Sequence, residues 1–408
     1  MTYIKRHIES TVQKYAEMFG AVLITGARQV GKSTMLQKNC GKIKYVTFDD
    51  SLALERATND PALFFMDNTP PLILDEVQYA PSIFRNIKIQ IDKSDKSGLF
   101  YMTGSQHFSM MKNVTESLAG RVGILTLLSL SRREIINDSE KAPFLPTDKF
   151  IERRKQTAKN GDINALWQII LNGGMPVFYS GRKCDFEAFY SSYLRTYLDR
   201  DISLLAQVGD KGRFLAFLRT LAAHIGQQLN KTAVAREVGI TSPTAEKWLT
   251  VLENSGIIYR LRPYSNNAIK REVKTPKLYF LNPGLAAYLA GWRTPETLKN
   301  GAMAGAYFEN YVLCEILKSW YNNGIIDPEI YFFRDRNGHE IDFVIERENT
   351  LYPIEVKKHA TQNKRDCKEF ALLEQIAGKK RGTGCVISFN ETISHLTENN
   401  YALPVWYL

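Results

Sequence analysis

The stretch that decides the fold is Gly26-Ala27-Arg28-Gln29-Val30-Gly31-Lys32-Ser33. It satisfies the pattern G-x-x-x-x-G-K-[ST] in full, and it follows the apolar run Ala21–Thr25, which is the strand context that the pattern requires. Its glycines let the backbone wrap around an anion, with N–H groups and a helix N-terminus facing the negative charge. The sequence therefore predicts a phosphate-binding loop between a strand and a helix.

This loop predicts ATP and Mg2+ as ligands. We expect Lys32 to reach the β- and γ-phosphates as a catalytic residue, and Ser33 to hold the metal ion. The alternative, a chance glycine turn, is disfavoured by the strand before it. The residues expected to contact the nucleotide are Gly26, Ala27, Arg28, Gln29, Val30, Gly31, Lys32, Ser33, Thr34, Thr103 and Ser105.

An acidic pair follows a second apolar run, Leu72-Ile73-Leu74, further along the chain. We expect Asp75 to hold Mg2+ through water and Glu76 to polarise the attacking water. Adjacent acids at a strand end are typical of ATPases and disfavour a small-molecule kinase. A pair that caps a helix N-terminus is the alternative.

Two further positions could complete such a site. The next apolar run ends in Thr103-Gly104-Ser105, where the hydroxyl of Thr103 or Ser105 could bind the attacking water or the γ-phosphate, or simply belong to a turn. Arg121 could act as a catalytic finger on the nucleotide of a neighbouring subunit, which would require a homo-oligomer. The alternative for Arg121 is a surface or structural arginine.

The composition is that of an ordinary globular chain. Its 408 residues include 53 Lys plus Arg and 43 Asp plus Glu, for a formal net charge of +10, and 44% are hydrophobic. This excludes a disordered, collagen-like or coiled-coil chain, and it allows a nucleic-acid partner without requiring one. The five scattered cysteines have no disulfide or zinc spacing. With neither a signal peptide nor a membrane-length apolar run, we expect a cytoplasmic protein without a membrane partner.

Apolar runs and helical periodicity divide the chain into four regions. Five short apolar runs alternate with helical stretches in residues 1–137, which predicts a parallel sheet in one α/β domain. Helices dominate residues 138–225. A helix–turn–helix pattern followed by β-like residues fills 226–283, and a mixed α/β pattern fills 300–408.

The third region predicts a winged helix. Its expected parts are a helix over Lys231–Val238, an N-cap at Ser242, and a second helix over Thr244–Asn254. The inner stripe of that second helix is Ala245, Trp248, Leu249 and Leu252. The basic residues that follow are Arg260, Arg262, Lys270, Arg271, Lys274 and Lys277. This cluster suits phosphate contacts with DNA, although a winged helix used only for domain packing is the alternative.

Acidic residues in the last region predict a second metal site. Glu309 falls on the apolar stripe of an amphipathic helix, where an acid is costly without a partner. Asp342 and Glu355 follow in two alternating strands, and Lys357 completes the D…E-x-K pattern of the PD-(D/E)XK nucleases. We expect Asp342 and Glu355 to chelate Mg2+, Glu309 to complete the site, and Lys357 to position the attacking water.

The chain as a whole resembles prokaryotic AAA-family ATPases with a C-terminal region similar to a winged helix joined to a restriction-endonuclease-like core. The matching stretches are Gly26–Ser33, Leu74–Gln78, Thr103–Ser105, Leu118–Arg121, Gly173–Pro176, Tyr193–Ile202, Tyr279–Leu285 and the C-terminal acids. The resemblance implies an α/β protein with a P-loop AAA-type ATPase core, a helical lid, a winged helix and a nuclease-like α/β domain. Asn282 departs from it, because the family more often has Asp there.

Two functional hypotheses remain open at this stage. One is an ATP-driven machine that acts on DNA and cleaves it at a Mg2+ site in the C-terminal domain. The other is an ATP-controlled switch whose winged-helix and nuclease-like domains only bind DNA or a protein partner. The complete set Glu309, Asp342, Glu355 and Lys357 favours the first.

Overall fold

The computed structural model describes residues 2–104, 114, 116–197, 210–266 and 275–408. Its N-terminal region contains a sheet of five strands, all parallel, in the order β2-β3-β4-β1-β5. The strands are β1 (Ala21–Thr25), β2 (Lys44–Thr47), β3 (Leu72–Asp75), β4 (Phe100–Thr103) and β5 (Val122–Thr126). The predicted parallel α/β sheet is therefore confirmed, with strand ends within about a residue of the apolar runs.

Helices cover both faces of this sheet, as a parallel sheet with buried strands requires. Two separate apolar clusters lie on its two sides, one around Leu23 and Phe84 and the other around Val22 and Met35. The helices of this region are α1 (Glu9–Met18), α2 (Lys32–Asn39), α3 (Ser51–Asn59), α4 (Pro61–Asp67), α5 (Ile83–Asp92) and α6 (Arg132–Ile135).

Helices dominate the described residues in the middle of the chain. It contains α7 (Asp148–Thr157), α8 (Ile163–Asn172), α9 (Phe186–Tyr197), α10 (Lys211–Ala223), α11 (Lys231–Val238) and α12 (Ser242–Asn254). An antiparallel hairpin of β6 (Ile258–Leu261) and β7 (Lys277–Phe280) follows α12. Thr241, not Ser242, caps α12, because its hydroxyl accepts the Thr244 N–H at 3.3 Å. Pro243 then falls inside the first turn, where its missing N–H costs nothing.

The C-terminal region contains a seven-stranded mixed sheet, in the order β13-β14-β12-β10-β9-β8 with β11 beside β10. The strands are β8 (Ile330–Arg334), β9 (Glu340–Arg347), β10 (Thr350–Val356), β11 (Lys380–Arg381), β12 (Gly384–Ser388), β13 (Ser394–Thr397) and β14 (Asn400–Pro404). Before them lie α13 (Pro283–Leu289), α14 (Pro295–Asn300) and α15 (Ala304–Tyr321). Among the described helices, none combines the length and apolar character that a membrane crossing needs.

Helix α15 carries the predicted apolar stripe, but its other faces are buried as well. Asn310, Glu315 and Lys318, on its expected outer faces, are all buried. The N-terminal region covers two of them: Glu315 accepts the Arg132 N–H at 2.8 Å, and the Lys318 ammonium donates to the Leu130 carbonyl at 2.9 Å. Asn310 instead accepts the Phe280 N–H of β7 at 2.8 Å. The apolar stripe is only one of several buried faces of α15. The polar side chains on the other faces can be buried because backbone groups of other elements hydrogen-bond to them.

The glycines of the Gly173–Pro176 stretch allow the helical middle to pack closely. A Cβ on Gly173 would lie 1.9 Å from the Asn282 side-chain oxygen, and one on Gly174 would lie 2.2 Å from the Leu130 carbonyl. Asn282 itself caps α13, accepting the Gly284 N–H at 2.9 Å and the Tyr190 hydroxyl at 3.1 Å. An amide oxygen fills this role as well as a carboxylate does, which explains how Asn is accommodated here.

Candidate functional site

The phosphate-binding loop joins β1 to α2, as its sequence predicts. Its backbone uses conformations that favour glycine: Gly26 has a φ of 145° and Gly31, the N-cap of α2, a φ of 97°. A Cβ on Gly26 would lie 2.2 Å from the Leu127 carbonyl oxygen. Gln29 also has a positive φ, of 60°, a strained conformation of the kind that concentrates at functional sites. The loop thus adopts backbone conformations and close approaches that require glycine at Gly26 and Gly31.

Lys32 lies beneath the curl of this loop. Its ammonium donates to the carbonyl oxygens of Gly26 at 3.1 Å and Ala27 at 3.0 Å, and the residue is only 6% exposed. A buried ammonium held inside a ring of loop backbone places positive charge where the phosphates of a nucleotide would lie.

Asp75 is the centre of a hydroxyl cluster formed by the ends of β3 and β4, a side chain of β2 and the start of α2. Its carboxylate accepts the Ser33 hydroxyl at 2.6 Å, the Tyr45 hydroxyl at 2.7 Å, and the Thr103 hydroxyl. Adjacent Ser and Asp oxygens are the hard ligands that Mg2+ prefers, and they leave room for several waters. The donor set therefore fits a Mg2+ ion bound by Ser33 and Asp75.

Glu76 and Thr103 are positioned by each other. The Glu76 N–H donates to the Thr103 hydroxyl oxygen at 3.2 Å, and Glu76 adopts a left-handed φ of 58°. This turn aims its side chain into the loop cavity, where Gln78 donates to its carboxylate. Thr103 is fully buried, and its hydroxyl donates to Asp75. It therefore orients the acidic pair and does not line the cavity as the predicted nucleotide contact. Ser105, the other candidate hydroxyl, lies outside the described residues.

A cavity of about 950 Å3 opens beside the loop. Arg28, Gln29, Val30, Gly31, Lys32, Ser33 and Thr34 line one wall together with Glu76. The other walls come from the N-terminal segment and the helical middle: Thr2, Tyr3, Ile4, Arg6, Pro176, Val177, Phe189 and Tyr193. The phosphate loop thus supplies a polar wall, and the remaining walls combine apolar side chains with a few polar ones, which is the usual character of a ligand pocket.

A buried ion pair supports the loop from behind. Arg6 is 3% exposed; its guanidinium donates to the carbonyls of Val30 at 2.8 Å and Leu128 at 2.7 Å and pairs with Glu134 at 3.1 Å. Burial alone would raise the pKa of Glu134, but Arg6, His7 and backbone donors hold that pKa below its ordinary value. Both charges are therefore retained and linked to the loop.

The C-terminal acids come together at a second place. The Asp342 carboxylate accepts the Val356 N–H at 2.9 Å, and the Asp342 N–H points at the Glu355 carboxylate at 3.4 Å. Lys357 donates to the other Glu355 oxygen at 2.7 Å. Strands β9 and β10 pair antiparallel, so the D…E-x-K residues meet as the alternation predicts.

Lys277 enters this cluster from β7. Its ammonium lies 2.5 Å from Glu340, 3.3 Å from Glu309 and 3.9 Å from Asp342. Burial would lower the pKa of Lys277, but these three carboxylates raise it above its ordinary value, so the ammonium is charged. Burial, together with Asp342, raises the pKa of Glu309 to about 7. Across the described residues, no group of three or more His, Cys, Asp or Glu side chains is arranged to hold a metal ion.

The basic residues of the predicted wing are only partly available to a ligand. Arg260 forms ion pairs with Glu246 at 2.8 Å and with Glu253, both on α12, and Lys277 is buried among acids. These two residues therefore do not serve as the phosphate contacts that the sequence suggested. Arg262 is exposed, and Lys270, Arg271 and Lys274 lie outside the described residues.

Family models match three parts of the chain. Residues 19–136 match an AAA domain, residues 163–296 a "domain of unknown function (DUF8612)", and residues 304–408 a "domain of unknown function (DUF4143)". With the phosphate loop and its parallel sheet, the first match settles the N-terminal region. It carries an AAA-type ATPase domain.

Two relatives match most of the chain, at low sequence identity. Uncharacterized proteins of Mycobacterium tuberculosis and Mycobacterium bovis are each 27% identical over 347 residues, which cover 83% of this chain and 70% of theirs. Among solved structures, a Walker-type ATPase of Pyrococcus abyssi shares 14% identity at a TM-score of 0.43, covering 71% of this chain and 98% of its own. AMPPCP-bound DnaA of Aquifex aeolicus shares 12% at a TM-score of 0.28, covering 60% and 85%. These TM-scores are too low for the two structures to support a conclusion about this chain.

Arg121 lies at the far edge of the AAA domain from the phosphate loop. Its carbonyl accepts the N–H of Ala21 at the start of β1, whereas the loop follows the end of that strand. The two edges are about 15 Å apart, the length of a five-residue strand. Its guanidinium pairs with Asp92. Arg121 therefore cannot serve the loop of its own chain, and a role in a neighbouring subunit stays a prediction.

The sequence did not point to three roles at these sites: Arg6 at the phosphate loop, Tyr45 at Asp75, and Lys277 among the C-terminal acids. Each residue acts across a long sequence separation; Arg6 and Glu134, for example, are 128 positions apart. Tyr45 offered a weak signal, because it begins an apolar run next to β3, where its hydroxyl reaches Asp75. Lys277 was expected to contact DNA phosphate as part of the wing, because its place at the start of β7 does not reveal the acids that surround it.

Proposed function

We propose that the AAA domain binds and hydrolyses ATP with Mg2+. The observation that carries the proposal is the Ser33–Asp75 contact of 2.6 Å beside the loop cavity into which Lys32 and Glu76 also project. Lys32 would neutralise the β- and γ-phosphates, Ser33 and Asp75 would hold Mg2+, and Glu76 would orient and polarise the attacking water. The ion supplies charge neutralisation on the phosphates.

Replacing Lys32 tests this proposal. Lys32→Ala removes the charge from the loop, so ATP hydrolysis in Mg2+ should fall to background, measured as released phosphate. Lys42→Ala, an exposed lysine beyond α2, is the matched control and should hydrolyse ATP at the wild-type rate. Unchanged turnover in Lys32→Ala, with both proteins folded by circular dichroism, would refute the assignment.

Binding of DNA is a second candidate function. Helices α11 and α12 and the following hairpin support a winged-helix arrangement, and α12 buries Trp248 and Leu249 while it exposes Lys247 and Thr250. An exposed polar face opposite a buried one is what a helix in the major groove presents. Arg262 on the hairpin adds an exposed cation.

Duplex DNA with a fluorescent label tests this candidate. The affinity should fall with rising salt, because phosphate contacts release counterions, and it should fall further in the double variant Lys247→Ala/Arg262→Ala. Lys42→Ala, which removes an exposed lysine of the AAA domain, is the control and should bind as the wild type does. Binding that is insensitive to salt and to the double variant would exclude this face.

The C-terminal sheet supports a nuclease-like assignment, since Asp342, Glu355 and Lys357 meet there, but its charges favour the binding alternative over DNA cleavage. The two carboxylates that a Mg2+ ion would need already face cations: the Lys277 ammonium lies 3.9 Å from Asp342, and the Lys357 ammonium lies 2.7 Å from Glu355. Supercoiled plasmid with Mg2+ or Mn2+ discriminates the two. We expect no nicking by wild type or by Asp342→Ala, and nicking by the wild type alone would restore the cleavage hypothesis.

A further inference from the structure

The position of Lys277 is unusual for a lysine on a hairpin. Its side chain is 5% exposed, and its ammonium faces Glu309 on α15 and Glu340 and Asp342 on β9. The Phe332 ring, 5.6 Å away, covers another side of the ammonium. A buried charge is tolerated only when it is paired and hydrogen-bonded. Three carboxylates from two elements supply that pairing here.

These carboxylates do not fit a divalent ion as they stand. Mg2+ and Ca2+ require carboxylate oxygens at about 2.0–2.6 Å around a common centre. The Lys277 ammonium lies between the oxygens of Glu309, Glu340 and Asp342, and Lys357 holds Glu355. No three carboxylates among the described residues converge on an open point. The predicted Mg2+ ligands Asp342 and Glu355 therefore already lie beside the ammonium groups of Lys277 and Lys357, respectively.

We propose that Lys277 is an internal cation that takes the place of a divalent metal in the acidic cluster of the C-terminal domain. The lysine comes from β7, so the same contacts also fasten the β6–β7 hairpin to α15 and β9. Without the ammonium, the cluster would lose the buried cation that its three carboxylates share. Glu309 would retain the Tyr279 hydroxyl, Glu340 would retain Arg334 at 3.5 Å, and Asp342 would retain the Val356 N–H. A divalent ion would then become the available partner for them.

Manganese binding by the nucleotide-free protein tests this proposal directly. Bound Mn2+ is counted by electron paramagnetic resonance in wild type, Asp342→Asn, Lys277→Met and the double variant. We expect wild type and Asp342→Asn to bind equal amounts, and Lys277→Met to bind one additional ion per chain that the double variant loses. The measurement needs no ATP, so its result is independent of whether the AAA domain hydrolyses ATP.

Two outcomes would overturn the proposal. One is a wild type that binds one more Mn2+ than Asp342→Asn does, which shows a metal site despite Lys277. The other is a folded Lys277→Met without an additional ion. Lys277→Arg, which retains the charge, and Lys358→Met, which removes an exposed neighbouring lysine, should both match the wild type. If Lys277→Met does not fold, the comparison of bound Mn2+ between wild type and Asp342→Asn still tests whether the acidic cluster holds a metal ion.

A second readout separates metal binding from mere loss of a contact. Added Mn2+ should raise the unfolding temperature of Lys277→Met, because a ligand bound only to the folded chain stabilises it. The unfolding temperature of the wild type should not rise with Mn2+. A rise of equal size in both proteins would also count against an internal cation.

Discussion

At the scale of single residues, Arg6 stabilises the phosphate loop from outside the loop sequence. It ties the Val30 and Leu128 carbonyls to the buried Glu134 carboxylate. Removal of one partner of a buried pair leaves the other charged and unpaired, which costs about 3–5 kcal/mol. We expect Arg6→Ala to lose stability of this order in urea unfolding and to bind a fluorescent ATP analogue more weakly.

The neighbouring Lys5 offers the matched control, since it is exposed. Lys5→Ala should change the free energy of unfolding by less than about 0.5 kcal/mol. Equal losses in the two variants would show that Arg6 stabilises the chain through its side-chain bulk near the N-terminus and not through the loop.

Tyr45 contributes a single hydrogen bond to the predicted Mg2+ ligand. Its hydroxyl donates to one Asp75 oxygen at 2.7 Å while Ser33 and Thr103 occupy the other. Tyr45→Phe keeps the ring and removes only the donor, a change worth about 1 kcal/mol. We expect the free energy of unfolding to fall by about 1 kcal/mol. ATP hydrolysis should fall by up to roughly five-fold, because Asp75 is less firmly oriented, while the nucleotide affinity stays near that of the wild type.

Tyr101→Phe, on β4 of the same sheet, is the control for Tyr45→Phe and should hydrolyse ATP normally. A Tyr45→Phe variant with the full wild-type rate at limiting Mg2+ would show that this hydroxyl does not hold Asp75 in its catalytic orientation.

At the scale of elements, α12 is fastened by its aromatic face. Trp248 packs edge-on against Phe214 at 5.0 Å and Phe217 at 5.3 Å between ring centroids, both on α10. Trp→Ala in a packed core costs about 3–5 kcal/mol. We expect Trp248→Ala to lower the unfolding free energy by that amount and to abolish DNA binding, whereas Lys247→Ala should leave stability unchanged.

The same helix shows why element prediction worked where it did. The stripe Ala245, Trp248, Leu249 and Leu252 recurs at helical spacing and is buried throughout, so periodicity alone was sufficient. Periodicity was insufficient for α15, whose polar positions are also buried. Its polar groups are satisfied by the Leu130, Arg132 and Phe280 backbone, which no local pattern reveals.

At the scale of the whole molecule, the C-terminal acids make stability depend on pH. Burial and the Asp342 carboxylate raise the pKa of Glu355 from its ordinary 4.5 to about 8. Between these values the folded chain binds more protons than the unfolded chain, so this contribution to stability falls as the pH rises. We expect wild type to lose at least about 1 kcal/mol more than Glu355→Gln between pH 5 and pH 8.

Urea unfolding at pH 5, 6.5 and 8 measures this difference. Glu398→Gln replaces an exposed glutamate of the same region and should follow the wild-type pH profile. Parallel profiles for wild type and Glu355→Gln would contradict the raised pKa of that carboxyl.

The sequence by itself determined the phosphate loop, the acidic pair at the end of β3, the five parallel strands and the stripe of α12. Each of these features depends on consecutive or regularly spaced residues, so the local backbone geometry is sufficient to produce it. The tertiary structure alone decided which charges meet: Arg6 with Glu134, Arg260 with Glu246, and Lys277 with Glu309 and Asp342. Buried charges must find partners wherever the fold brings them, and those partners are not neighbours in the chain.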